Sequence, residues 1–300
     1  MWNGFRRVRL MIGVAVWAVS PVLWAQASNC CKLSEPQPPV QNTFKVSGAP
    51  ELAVSNINGP IHVIGDSNGE IRLSAIEIVR GNSNDDIARA KREVHLYVRQ
   101  DGNRVFACVS APLHHGRNGD NGACRDSNIG DVIGDVSDWL DFGNHYSVRF
   151  DFELHVPPVT RVALSTIDEG DIKVELVSGG FELNNVNGGI ELDAAAGSGE
   201  ARTVNGEVMA TFAANPRAGC LFSTVNGSVH MYFRPGLSAQ LSYKTLNGEV
   251  YSDFPVSPAG GTGDGVPFLP GGFGSGHVGS GGPQIHFNTL NGNIFIHRSS

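Results

Sequence analysis

The sequence predicts an all-β fold, stacked as a β-solenoid, on three observations: a short motif that recurs, apolar columns of period two that travel with it, and a second turn signal inside every interval. The motif is apolar-x-Thr-Val/Leu-Asn-Gly-x-Val/Ile. It stands as Leu183-Asn-Asn-Val-Asn-Gly-Gly-Ile190, Ala201-Arg-Thr-Val-Asn-Gly-Glu-Val208, Phe222-Ser-Thr-Val-Asn-Gly-Ser-Val229, Tyr243-Lys-Thr-Leu-Asn-Gly-Glu-Val250 and Phe287-Asn-Thr-Leu-Asn-Gly-Asn-Ile294. A degenerate copy, Leu164-Ser-Thr-Ile-Asp-Glu-Gly-Asp-Ile172, precedes these, and Val54-Ser-Asn-Ile-Asn-Gly-Pro-Ile61 is an outlying first copy. From Gly170 the glycine steps are 18, 18, 21, 21 and 44 residues, so the last step holds an insertion, the Gly/Pro-rich stretch 255–283.

Residues two, four and six after each glycine form columns that imply one buried face per strand. They are Ile172, Ile190, Val208, Val229, Val250 and Ile294, then Val174, Leu192, Ala210, Met231, Ser252 and Ile296, then Leu176, Ala194, Phe212, Phe233 and Phe254. The pairs Asn58-Gly59, Asn187-Gly188, Asn205-Gly206, Asn226-Gly227, Asn247-Gly248 and Asn291-Gly292 mark turns, because Asn and Gly tolerate positive φ at least cost. An antiparallel meander of type I′ hairpins fits this unit, and so does a stack in which equivalent strands lie on one another. The stack is favoured, since identical side chains at identical offsets are what stacking rewards. It sets Thr203, Thr224, Thr245 and Thr289 in one ladder and the five asparagines from Asn187 to Asn291 in another.

Along the chain, Arg6, Arg7 and Arg9 precede an apolar run to Trp24 and then Ala25-Gln26-Ala27, the order of a secretory signal peptide cleaved after Ala27. Cys30 is a lipidation candidate, against which Asn29 stands where a small residue is wanted. Residues 28–43, with Pro36, Pro38 and Pro39, read as an unstructured leader. The segment 44–156 reads as β-rich, with strand segments at 51–59, 61–64, 70–79, 95–99, 104–110 and 146–156, one helix over 84–94 and a long polar loop at 112–144. The repeat region follows over 157–298.

Removal of residues 1–27 takes three of the 22 basic residues and leaves 19 against 29 acidic ones, a formal charge of −10. An acidic chain without a basic stripe is a poor binder of nucleic acid and of anionic membrane, so no nucleic-acid partner is expected, and no later stretch is apolar enough to span a bilayer. All five cysteines follow Ala27. Cys108 and Cys124 are the expected disulfide in an oxidising compartment, and Cys220, inside a repeat, is expected as a small buried hydrophobe.

These repeats, with the Tyr146-Ser-Val-Arg-Phe-Asp-Phe-Glu-Leu-His-Val-Pro157 segment and the first copy at 54–61, resemble a family of exported bacterial β-strand-repeat proteins of unknown function that carries the label adhesin. The resemblance covers about residues 44–298 and implies an exported, non-catalytic β-repeat protein. The loop at 112–144 and the insertion at 255–283 depart from the family's pattern.

Motifs with chemistry are few. Gly274-Ser-Gly276-His-Val-Gly279 matches the dinucleotide fingerprint by letter, but it sits in a Gly-rich tract and is read as chance. Cys108, His114, His115, Asp120 and Cys124 match no zinc spacing, and Asp120, Asp126, Asp131, Asp135, Asp138 and Asp141 match no calcium-loop frame, so no metal and no cofactor are assigned. Asp171, Glu207 and Glu249 read as exposed edge charges. The expectation is a non-enzymatic scaffold, exported to the periplasm, outer-membrane surface or beyond, that meets a protein or glycan partner. The alternatives are a carbohydrate-active β-helix enzyme, which needs paired carboxylates and a basic or aromatic groove, and an envelope sensor or assembly partner. Three of four tryptophans (Trp2, Trp17, Trp24) leave with the signal peptide and Trp139 remains, which weighs against the enzyme.

Overall fold

A computed structural model describes residues 32–66, 69–111, 145–258 and 272–299. The expected signal peptide, the 112–144 loop with Cys124, and the centre of the Gly/Pro-rich insertion lie outside them. Among the described residues the chain is all-β apart from one short helix, and its strands form two sheets of eleven. Both sheets mix parallel and antiparallel pairing.

The N-terminal part corrects the unstructured leader: Leu33–Pro36 (β1) and Val40–Lys45 (β2) are strands. They precede Glu51–Ser55 (β3), Ile61–Gly65 (β4) and the twelve-residue Glu70–Gly81 (β5). β5 is long enough to carry β2 along its first half and β1 along its second, both antiparallel, with the prolines at the break between them. The helix Asn84–Glu93 (α1) lies where expected. Ser83 caps it by accepting from the Asp86 amide, Asp85 and Asp86 sit in its first turn, Lys91 and Arg92 in its last, and Ile87 and Ala90 are buried. His95–Asp101 (β6), Arg104–Ser110 (β7) and Tyr146–Val156 (β8) complete this part.

From Arg161 the chain alternates between the sheets. Arg161–Thr166 (β9), Phe181–Asn185 (β11), Gly199–Arg202 (β13) and Cys220–Ser223 (β15) enter one sheet; Ile172–Glu175 (β10), Ile190–Ala195 (β12), Val208–Phe212 (β14) and Val229–Phe233 (β16) enter the other. Each pairs parallel and in register with its equivalent one repeat away, as in Ile172↔Ile190, Ile190↔Val208 and Val208↔Val229. The hairpin alternative is therefore not the observed pairing within the repeats. β3 and β4 pair parallel with β9 and β10, which brings the outlying first copy onto the same stack.

Chain order and spatial order part company at the end. Ala239–Asn247 (β17), Val250–Ser252 (β18), Ser257–Pro258 (β19), Phe273–Val278 (β20), Gln284–Asn291 (β21) and Ile294–Arg298 (β22) follow in sequence. Yet β21 lies between β15 and β17, and β22 between β16 and β18, so the last copy slots inside the stack and the Tyr243–Val250 copy becomes its final rung. The insertion makes this possible. β20 runs antiparallel along the far side of β17, and the chain then crosses the start of β17 at 279–283, where a Cβ on Gly282 would come within 2.5 Å of the Ser238 carbonyl oxygen.

The two sheets enclose one apolar core in which the first two columns are buried as expected, apart from the half-buried Ser252. The third needs correction. Leu176 and Ala194 adopt φ of 59° and 52° and turn out, Leu176 being 56% exposed, while Val177 and Ala195 take the inward places. The register shift between Leu192 and Ala195 marks the bulge that causes it. Phe212 and Phe233 stack at 5.1 Å and Phe222 and Phe287 at 6.0 Å, matching the strand spacing of about 4.8 Å closely enough for ring-on-ring packing.

Candidate functional site

The motif first yields a structural column, one corner of every rung. Asn247 donates its side-chain amide to Asn291, Asn291 to Asn226, Asn226 to Asn205 and Asn205 to Asn187, each at 2.7–2.8 Å, and Asn187 reaches Asp168 at 3.3 Å. Asn58 stands next in this line, bridged to Asp168 through the backbone. Beneath the ladder each Thr hydroxyl donates to the glycine carbonyl of the neighbouring rung: Thr203 to Gly188, Thr224 to Gly206, Thr289 to Gly227 and Thr245 to Gly292, at 2.7–3.0 Å. Asn185 fills the Thr slot of its copy and donates to Gly170.

The expected positive φ occurs at Gly59 and Gly292, at 111° and 159°, but not at Gly188, Gly206, Gly227 or Gly248. A Cβ on Gly188, Gly206, Gly227, Gly292 or Gly248 would instead come within 1.9–2.2 Å of the glycine carbonyl oxygen of the next rung. Each carbonyl thus accepts from a threonine, or at Gly170 from Asn185, in a space that only a hydrogen leaves open. The asparagines from Asn187 to Asn291 and their glycines bond or pack one rung against the next.

Two outward faces remain. On the sheet containing β10, the N-terminal half is ionic: His62 meets Glu175 at 2.5 Å, and Lys173 lies 3.1 Å from Glu175 and 3.4 Å from Glu191. Hydrogen bonds from His62 and then Lys173 hold the Glu175 carboxyl below the usual range, the opposite of what a general acid needs. The C-terminal half is aromatic: His230 stacks on Phe295 at 4.5 Å, Tyr251 on Phe295 at 5.1 Å and Tyr232 on His297 at 4.7 Å. Near-parallel rings this close, on adjacent strands, stand edge-on to solvent like pages, so they offer a ligand edges rather than a flat platform.

The other sheet carries a groove of about 460 Å³ where β17 is flanked by β20 and β21. Register sets its lining in rows across the three strands: His277, Gln240 and Gln284 in one, Ser275, Ser242 and His286 in the next. Ser280 and Gly281, from the crossing at 279–283, line it as well, and the Ser280 hydroxyl lies 3.0 Å from that of Ser238. The described lining residues contain no carboxylate, lysine or arginine. Phe273, 66% exposed, follows on the same face, with the Lys244 ammonium 5.1 Å from its ring centre.

The chain is similar in course to solved bacterial structures. A candidate cell-adhesion protein from Clostridium sporogenes superposes with a TM-score of 0.43 at 12% identity, over 88% of this chain and all of the other. A candidate adhesin from Bacteroides fragilis gives 0.36 at 11% identity over 88% and 98%, and a candidate lipid-binding protein from Parabacteroides distasonis 0.24 at 12% identity over 87% and 97%. No protein-family model and no curated protein matches the sequence. Likeness of this degree decides nothing about the groove.

The dinucleotide-like Gly274–Gly279 segment is mostly strand β20 and opens no helix, and its Ser275 and His277 line the groove. Cys108 is buried at the end of β7, while Cys124, His114, His115 and the aspartates from 120 to 141 lie outside the described residues. Cys220 is buried, and burial pushes its thiol up, so it is an inert apolar group as expected. Asp171, Glu207 and Glu249 are exposed. Gln240, Gln284 and His286 carry no signal in the sequence, because what joins them to His277 is the out-of-order insertion of β21, which no spacing announces. Among the described residues no helix is long and apolar enough to cross a membrane.

Proposed function

We propose that this chain is an exported, non-enzymatic scaffold of the bacterial envelope: an adhesin-like interaction protein whose rungs form a β-solenoid presenting its outer faces and the 112–144 and 255–283 segments to a partner. The observation that carries this reading is the use made of the repeated residues. Thr, Asn and Gly of each copy are consumed in bonding one rung to the next, so the repetition produces a rigid shape and not a converging set of reactive groups. The leading basic-apolar-small segment supports export, and the Cys108–Cys124 disulfide belongs to the same proposal.

Cell fractionation with mass mapping tests it. The expected outcome is a mature chain beginning at Ser28 in the envelope or medium, with Cys108 and Cys124 joined under non-reducing conditions. A full-length cytoplasmic chain with both thiols free would overturn the reading.

A further inference from the structure

We propose that the groove on β17, β20 and β21 binds a neutral oligosaccharide. The proposal rests on reading the chain as an exported interaction protein and names what one of its faces meets.

The chemistry of the lining selects the ligand class. Gln240 and Gln284 each offer two amide donors and a carbonyl acceptor, Ser242 and Ser275 a hydroxyl that does both, and His277 and His286 one donor and one acceptor in the neutral ring. None of these six side chains bonds to another described group, so their capacity is open to a ligand. An anion entering the groove would find no cation in its lining, and a cation no carboxylate. A sugar hydroxyl, itself both donor and acceptor, is matched by every one of them.

The geometry agrees with the chemistry. Side chains repeat at about 4.8 Å across the strands and about 6.8 Å along them, an array of paired donors and acceptors on a fixed sheet. The sheet holds their backbones before any ligand arrives, which limits the ordering cost of weak polar contacts. Phe273, one row beyond Ser275, adds an exposed apolar ring at the end of the polar set. A pyranose has this combination, a hydroxyl rim with an apolar C–H face. The volume, about 460 Å³, lies within the range of small-ligand sites.

The stack explains why the site is here. Further along the same sheet, outward positions include charged pairs, Arg161 with Glu182 and Arg202 with Glu200. Where β20 doubles back beside β17, and the crossing at 279–283 raises a wall, neutral polar side chains from three strands share a concavity.

The test titrates the full mature chain with maltohexaose, cellohexaose and N-acetylchitohexaose as neutral probes, and with polygalacturonate and heparin as anionic ones, followed by calorimetry and saturation-transfer NMR. At least one neutral oligosaccharide should bind. The double variant Gln240→Ala/Gln284→Ala should weaken it at least about tenfold without lowering the melting temperature, since both side chains are exposed, while Glu191→Ala on the opposite sheet should leave it unchanged. Binding of none of the neutral probes, binding that survives the double variant, or binding of the anionic probes alone through Lys244 would each overturn the proposal. A null titration leaves the scaffold reading standing, because that reading is judged by where the mature chain is found.

Discussion

The glycine of each Asn-Gly pair is selected by crowding. At Gly227 an added Cβ would stand 2.0 Å from the Gly206 carbonyl oxygen, and backbone on both sides prevents either from yielding alone. Gly227→Ala should therefore cost about 3 kcal/mol or more, an overpacking at the stack's own backbone. At Gly219, in the turn before β15, the nearest atom would be 3.4 Å away, so Gly219→Ala serves as the matched substitution with little effect. Thr224→Val keeps the shape but removes the donor to Gly206, leaving a buried carbonyl short of a partner, and should cost about 1–2 kcal/mol. Urea denaturation of the four proteins measures all of this at once; equal costs for Gly219→Ala and Gly227→Ala would refute the crowding argument.

Among the elements, the aromatic face and the exchanged last copy have separate consequences. Burial lowers the His230 imidazole below its ordinary pKa, aided by His297 and opposed by Glu207. The unfolded chain then holds more protons than the folded one between the two values, so stability is present above the ordinary histidine range and is lost as pH falls through it. The melting temperature should drop between pH 7 and pH 5, and His230→Phe, which keeps a ring on Phe295, should flatten that slope. An unchanged slope would remove His230 from the account. Truncation after Pro283 takes Ile285, Phe287, Ile294 and Ile296, each at most 1% exposed, from within the stack. At about 2 kcal/mol per buried side chain the loss is near 8 kcal/mol, comparable with the whole stability of a domain. Circular dichroism should show no cooperative melting, whereas stacking in chain order would lose an end rung and keep most of its transition.

On the scale of the whole molecule, the all-β class, the helix at Asn84–Glu93, the strands of the repeats and the seven-copy column were legible in the sequence, because period-two apolar spacing and a repeated corner are local signals, whereas Phe273–Val278 in the Gly/Pro-rich insertion was not. The sequence by itself determined where the repeated Thr, Asn and Gly stand and favoured, over a meander, the register in which they bond to one another; the parallel pairing of equivalent strands was decided in the tertiary structure. It did not reveal that Leu33–Pro36 and Val40–Lys45 find partners, because that depends on the length of a strand some thirty to forty residues further on. Nor did it reveal the order of the last two rungs, which parallel pairing leaves nearly degenerate: Asn247 and Asn291, or Thr245 and Thr289, could exchange places without losing a bond type. Only the tertiary structure decided that order, through a Gly-rich crossing that folds back along β17, and the groove exists because of that choice.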